Sequence, residues 1–152
     1  MKVRLANKFD LTYFIGLVRK VHHDEEIGLF KVELEDDYLN RLFVSIINGA
    51  GIVIIVEDDN KPIGMLAGVI APSIWSSKVL IMNEILWYVE EEYRNARAGY
   101  LLLKQYKESC DEMIKNKRIT YHTITTVKSM FDTNLTRFGY NKVGETWINE
   151  EG

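Results

Sequence analysis

The sequence predicts one α/β domain over residues 1–152, a mixed β-sheet flanked by helices. Three observations carry this. β-branched apolar stretches at 51–56, 63–70 and 78–89 interleave with amphipathic stretches of helical period at 11–22, 39–47 and 97–116. The chain shows no internal repeat, low-complexity tract or linker, and Pro62 and Pro72 are its only prolines. Its 152 residues suit a single core, and a hydrophobic fraction of 47% is enough to fill one.

Residues 3–6 read as a short first strand. Asp10 then stands as the N-cap of a helix on which Leu11, Phe14, Ile15, Val18 and His22 recur on one side. A polar loop, His22-His23-Asp24-Glu25-Glu26-Ile27-Gly28, separates it from a second amphipathic helix with Leu39, Leu42, Phe43, Ile46 and Ile47 on one face. Asn48-Gly49 ends that helix, because glycine tolerates the left-handed conformation after a helix C-terminus. Strands 51–56 and 63–70 flank the turn Asp58-Asp59-Asn60-Lys61 and form an antiparallel hairpin. The long strand 78–89 is apolar on both sides, with Leu80, Met82 and Leu86 on one face and Val79, Ile81, Ile85 and Trp87 on the other. A strand of that kind belongs inside a sheet. Helix 97–116 buries Leu102, Leu103, Tyr106, Cys110, Met113 and Ile114 and wets Lys104, Lys107, Glu108, Asp111 and Lys115. Strand 119–125, a short helix at 128–137 and a closing strand at 140–148 complete the order β-α-α-β-β-β-α-β-α-β. The crossover between 78 and 125 implies a parallel pair at the centre of the sheet.

Composition narrows the function. Net charge is −3, which disfavours nucleic acid as a partner. No apolar run reaches the roughly 20 residues that span a bilayer, so no membrane segment is expected. The first ten residues carry no continuous apolar stretch, so no secretory signal is expected and the location reads as cytoplasmic. The single Cys110 reads as a small core residue in a reducing compartment. His22 and His23 are adjacent, which suits chelation poorly, and nothing completes a metal set, so no metal is expected. His122 reads as a sheet residue, and Trp75, Trp87, Tyr88 and Tyr100 as packing residues, with Trp87 bordering any ligand channel.

The most informative junction is Trp87-Tyr88-Val89-Glu90-Glu91-Glu92-Tyr93-Arg94-Asn95-Ala96-Arg97-Ala98-Gly99-Tyr100, where the long strand turns into the long helix. A helix N-terminus offers backbone N–H groups and partial positive charge to a phosphate. Ala96, Ala98 and Gly99 are small enough to let a ligand reach the backbone, and Arg94 adds a permanent charge. The alternative is an ordinary strand-to-helix loop with a solvated arginine.

The order of elements and this junction resemble the GNAT superfamily of acyl-CoA-dependent N-acetyltransferases. Its signature at this turn is Arg/Gln-x-x-Gly-x-Gly/Ala, and Arg94, Arg97 and Gly99 stand at the three defining positions. Glu84-Ile85-Leu86-Trp87-Tyr88-Val89 resembles the family's fourth strand, and Val56 through Met65 its second and third. Leu135-Thr136-Arg137-Phe138-Gly139-Tyr140 through Glu145 resembles its closing helix, glycine turn and strand. The resemblance covers residues 3–148. It implies acetyl-CoA (coenzyme A) bound by Trp87, Tyr88, Val89, Arg94, Asn95, Ala96, Arg97, Ala98, Gly99 and Tyr100, with transfer of the acetyl group to a primary amine of a small molecule or protein. It is also compatible with a homodimer. Three positions depart from the family pattern. Arg97 replaces the first glycine, Leu135 stands where many members carry the tyrosine that protonates the leaving thiolate, and Lys128 falls near an asparagine that often contacts the cofactor. These departures keep a second reading open, a catalytically silent acyl-CoA-binding protein of the same fold.

An alkyl ammonium must lose a proton before it can attack a thioester. Glu84, flanked by Met82, Ile85 and Leu86, is either the general base or a strand-end carboxylate paired to a lysine or arginine. The resemblance places the base on this strand, and the donor to the carbonyl oxygen on a backbone N–H near 87–89. For the acceptor, Asp24, Glu25, Glu26, Glu33, Glu35, Asp36 and Asp37 form either an acidic mouth for a cationic amine or a solvated loop carrying helix-start charges.

Overall fold

The computed structural model describes residues 1–23, 32–94, 97–126, 134–147 and 149. Its sheet has five strands in sequence order: β1 (Lys2–Leu5), β2 (Gly51–Asp58), β3 (Lys61–Ser73), β4 (Ser76–Val89) and β5 (Tyr121–Thr123). The first four pair antiparallel, and β4 and β5 pair in parallel. Among the described residues the parallel pair therefore lies at one side of the sheet and not at its centre, because β5 is the last strand. The β2–β3 hairpin turns on Asp59 and Asn60, both at positive φ (53° and 63°). This is the two-residue turn whose twist matches the flanking strands, and Asp and Asn tolerate it.

Helices α1 (Leu11–His23) and α2 (Asp36–Ser45) cover one face of the sheet, and α3 (Ala98–Lys115) covers the other. Alternation along β2 feeds both cores. Val53 and Ile55 join Phe14, Leu17 and Phe43 on the first face, while Ile52, Ile54 and Val56 join Leu102 and Tyr106 on the second. Cys110 is fully buried in the α3 core. At the C-terminus of α2 the chain loosens into a π-type turn, Ile46–Ala50, in which Gly49 takes φ +118°.

Several expectations need correction. Asp10 does not start α1. Asn7 caps a short 3-10 turn, Lys8–Asp10, that runs into the helix, and Asp10 closes the capping box by accepting from the Asn7 N–H. Trp75 is 88% exposed at the β3–β4 hairpin tip and is not a packing residue, whereas Tyr100 is 46% exposed with one side of its ring against Phe138. Residues 140–147 join no strand of the sheet. Of the helix expected at 128–137, positions 128–133 lie outside the described residues, and Leu135–Phe138 form a 3-10 turn closed by Gly139 at φ +88°. Met82 and Leu86 do not share a face. Gly68 pairs with Glu84 but Ala67 pairs with Leu86, so Ile85 is an extra residue, a β-bulge, on β4. Met82, Trp87 and Val89 consequently face α3, and Leu86 and Tyr88 face α1 and α2.

β1 is fastened by a part-buried ion cluster. Arg4 donates from Nε to Glu57 Oε1 (2.7 Å) and from both terminal nitrogens to Asp10 (2.8 Å each), and the two acids are 7% and 5% exposed. The Arg4 hydrogen bond holds Asp10 below the usual carboxylate range. Arg4→Ala leaves Asp10 buried without its cation and Glu57 with only Lys2 at 3.9 Å, and should cost about 3 kcal/mol near neutral pH. A depressed folded pKa gives stability that is present above the unfolded value and lost as pH falls below it. Denaturant unfolding should therefore show the deficit shrinking below about pH 4.

Candidate functional site

β5 keeps register with β4 only at Ile81, Met82 and Asn83, opposite Tyr121, His122 and Thr123. Beyond Asn83 the two strands part, and β4 runs on to Val89 with no described strand on that side. Gly64 is opposite Val89, and the Glu90 N–H donates to the Ile63 carbonyl (2.8 Å). Val89 is therefore a non-hydrogen-bonded position whose N–H and C=O point away from β3, and by alternation the Trp87 backbone points the same way. The Val89 carbonyl accepts from Arg94 Nε at 3.0 Å.

Glu84 lies where the strands part, immediately before the bulge. Its Oε2 accepts the Thr125 N–H at 3.0 Å, and among the described residues no lysine or arginine pairs with it. Burial pushes its carboxyl up to about 7, against the smaller opposing pull of the Thr125 N–H. Thr125 was invisible to sequence reasoning, since the contributing group is a backbone N–H in the segment after β5 and has no residue signature.

At the far end of the gap α3 begins. Arg97 is its N-cap, in the right-handed helical region (φ −72°, ψ −3°) and without a side-chain capping bond. That conformation is open to any residue, so arginine in place of a signature glycine costs no backbone strain. Arg97 is exposed, Ala98 is fully buried against the core, and Gly99 is half-buried at the second helical position. Tyr100 leans on the Phe138 ring at 6.0 Å. Asn95 and Ala96 lie outside the described residues. Arg94 is not a solvated side chain. It holds the end of β4 and lies 5.3 Å from the centre of the Tyr88 ring, while Lys20 of α1 sits 6.0 Å from the same ring and pairs with Glu90 at 2.7 Å.

The remaining candidates fall elsewhere. His122 faces α3, where its Nε2 meets the Tyr140 hydroxyl at 2.9 Å and burial lowers its pKa. Leu135 packs against the α3-side core. Asp24, Glu25, Glu26 and Lys128 lie outside the described residues. Glu33, Glu35, Asp36 and Asp37 are exposed before and in the first turn of α2, and Asp36 is paired with Arg19. Among the described residues no three His, Cys, Asp or Glu side chains are grouped to hold a metal, and no helix is long and apolar enough to cross a membrane.

The site is thus two strands that part around a carboxylate, beside a helix whose first N–H groups lack a side-chain cap, in an α/β domain with a mixed sheet. The model of the Acetyltransferase (GNAT) family matches residues 17–140, and the chain belongs to that family. Among solved structures it resembles a predicted acetyltransferase of Clostridium acetobutylicum, solved with acetyl-CoA. That match has 18% identity and TM-score 0.71 and covers 97% of this chain and 94% of that one. It also resembles an acetyltransferase of Trypanosoma brucei, with 12% identity, TM-score 0.67 and 98% of each chain covered. A third is an aminoglycoside acetyltransferase from an uncultured soil metagenomic sample, in complex with sisomicin, with 16% identity and TM-score 0.62, covering 99% of this chain and 96% of that one. At such identities the likeness speaks for the fold alone. No curated protein matches the sequence significantly.

Proposed function

We propose that the protein is an N-acetyltransferase that moves an acetyl group from acetyl-CoA to a primary amine of a small molecule or protein in the cytoplasm. The observation that carries this reading is Glu84, a carboxylate with its pKa near 7 and no cationic partner among the described residues, set where β4 and β5 part. The features around it fit the cofactor. Ala98, Gly99 and Tyr100 begin α3 with no side-chain cap, so their N–H groups suit a pyrophosphate, and Arg94 and Arg97 bring positive charge to the same end. The outward N–H of Val89, whose carbonyl is held by Arg94, suits an acceptor on an extended chain carrying amides.

Acetyl-CoA, when bound, supplies the activated acetyl group. The protein's part is to take a proton and to orient. With Oε2 engaged by Thr125, Glu84 presents Oε1 to the ammonium proton of the acceptor. A carboxylate with a pKa near 7 is partly ionised at neutral pH and basic enough to accept that proton. A backbone N–H of this stretch, that of Val89 in our reading, donates to the carbonyl oxygen.

Incubation with acetyl-CoA and a panel of amines, with release of free thiol as the readout, tests the reading. Amine-dependent release is expected. Thermal stabilisation by acetyl-CoA without thiol release for any amine would instead establish a silent binder, the reading favoured by Leu135, a partly buried apolar residue packed against the core where the family resemblance expects a tyrosine.

A further inference from the structure

Across the β3–β4 ladder Glu84 faces Gly68. A Cβ at Gly68 would lie 2.9 Å from Met82 Sδ and 3.1 Å from Tyr106 Cε2, so it is the bare backbone that lets the Tyr106 ring lie against the sheet beside Glu84. Tyr106 is fully buried, and its hydroxyl donates to the Thr123 carbonyl at 3.0 Å. Thr123 is the last residue of β5 in register with β4, and two residues later Thr125 gives its N–H to Glu84. The hydroxyl thus holds the chain at the point from which it departs to reach the carboxylate.

We propose that Tyr106 is a positioning residue: by fixing the Thr123 carbonyl it sets where β5 leaves β4 and keeps the Thr125 N–H on Glu84. The proposal rests on the reading of Glu84 as base, but its structural half holds without any turnover. The titratable groups facing this spot are Tyr106 and Cys110 from α3, His122 from β5, and Tyr140, with Asp111 and Lys107 acting on His122. Burial lowers His122 from 6.5, raises Tyr106 and Tyr140, and raises Cys110 to about 12. Set beside Tyr106, Cys110, His122 and Tyr140, Glu84 is the group whose value is brought to about 7. The N–H bond favours its charged form, so loosening that bond raises its pKa.

The experiment follows the Thr125 amide of nitrogen-15-labelled protein by NMR through a pH titration. In the parent the amide should titrate with a midpoint about 7, and in Glu84→Gln that inflection should vanish. Tyr106→Phe keeps the ring and removes the hydroxyl. It should move the midpoint up by about one unit, and move the rising limb of the kcat/KM–pH profile by the same amount, about tenfold lost below pH 6 and little lost above pH 9. Gly68→Ala, whose Cβ crowds both Met82 Sδ and the Tyr106 ring without removing the hydroxyl, should move both in the same direction and decides the matter if Tyr106→Phe does not fold. An unmoved Thr125 midpoint in a folded variant, or a rate lowered equally at every pH, overturns the proposal. A parent without thiol release would refute the enzyme reading and leave the amide titration to judge Tyr106.

Discussion

Replacing Gly99 with glutamate should abolish the thermal stabilisation that acetyl-CoA confers on the protein. Gly99 is the second residue of α3, at an N-terminus with no side-chain cap. An acid in the first turn of a helix is favourable to the helix itself, so the variant should fold at least as well as the parent. The same charge against a pyrophosphate is repulsive, and the added side chain occupies the approach to the backbone. A ligand at a hundred times its Kd stabilises by about 2.7 kcal/mol, roughly 5–10 °C for a chain of this size, and that shift should be lost. Gly99→Ala, which adds one methyl group and no charge, should retain most of it. A folded Gly99→Glu protein with the full shift would show that the cofactor does not lie at this helix start.

Glu84→Gln should lower turnover by about a hundredfold, the scale of a lost general base, while leaving acetyl-CoA affinity in place. The parent rate should rise with pH through about 7 as the carboxylate ionises, and the loss in the variant should shrink at high pH, where more of the amine is already neutral. Stability carries an independent signature. A carboxyl whose folded pKa lies above its unfolded value binds protons more tightly when folded, so the parent loses stability as pH rises from about 4.5 towards 7. Glutamine carries no such penalty, and the variant should melt higher than the parent at pH 8. A variant that turns over like the parent at neutral pH would make Glu84 structural. A melting point unchanged at pH 8 would remove the burial argument for its raised pKa.

Much of the fold was legible because its elements are strongly periodic. α1, α2 and α3 announce themselves by apolar residues three and four apart, and the Asp59-Asn60 turn by residues that accept positive φ. Glu84 stood out as an acid on an apolar strand. What the pattern could not show is the bulge. Alternation was carried straight through Ile85, which put Met82 and Leu86 on one face, and nothing in the side chains marks an unpaired residue whose signal lies in the partner's register. Trp75 misled for a related reason. Aromatic residues are usually buried, but this one sits at the tip of a hairpin that extends past the helices' cover, and exposure there depends on strand lengths. The parallel pair was correctly inferred from the crossover, but its central place depended on a strand expected at 140–148, of which residues 140–147 join no strand.

The bulge also divides β4 into two segments whose alignments are set independently. From Glu84 back to Leu80, the pairing with β3 follows one offset. From Leu86 to Val89 it follows another, and a second irregularity sits at Pro72 and Ser73 beside the tip. A residue gained or lost near Ile74 would be absorbed where the chain already slips, and the far segment would keep its aim. One gained or lost between Leu86 and Val89 would have nowhere to be absorbed, and would turn the backbone that faces the gap inward toward β3. A change of length is therefore tolerated at the exposed tip, while the four residues after the bulge require a fixed count.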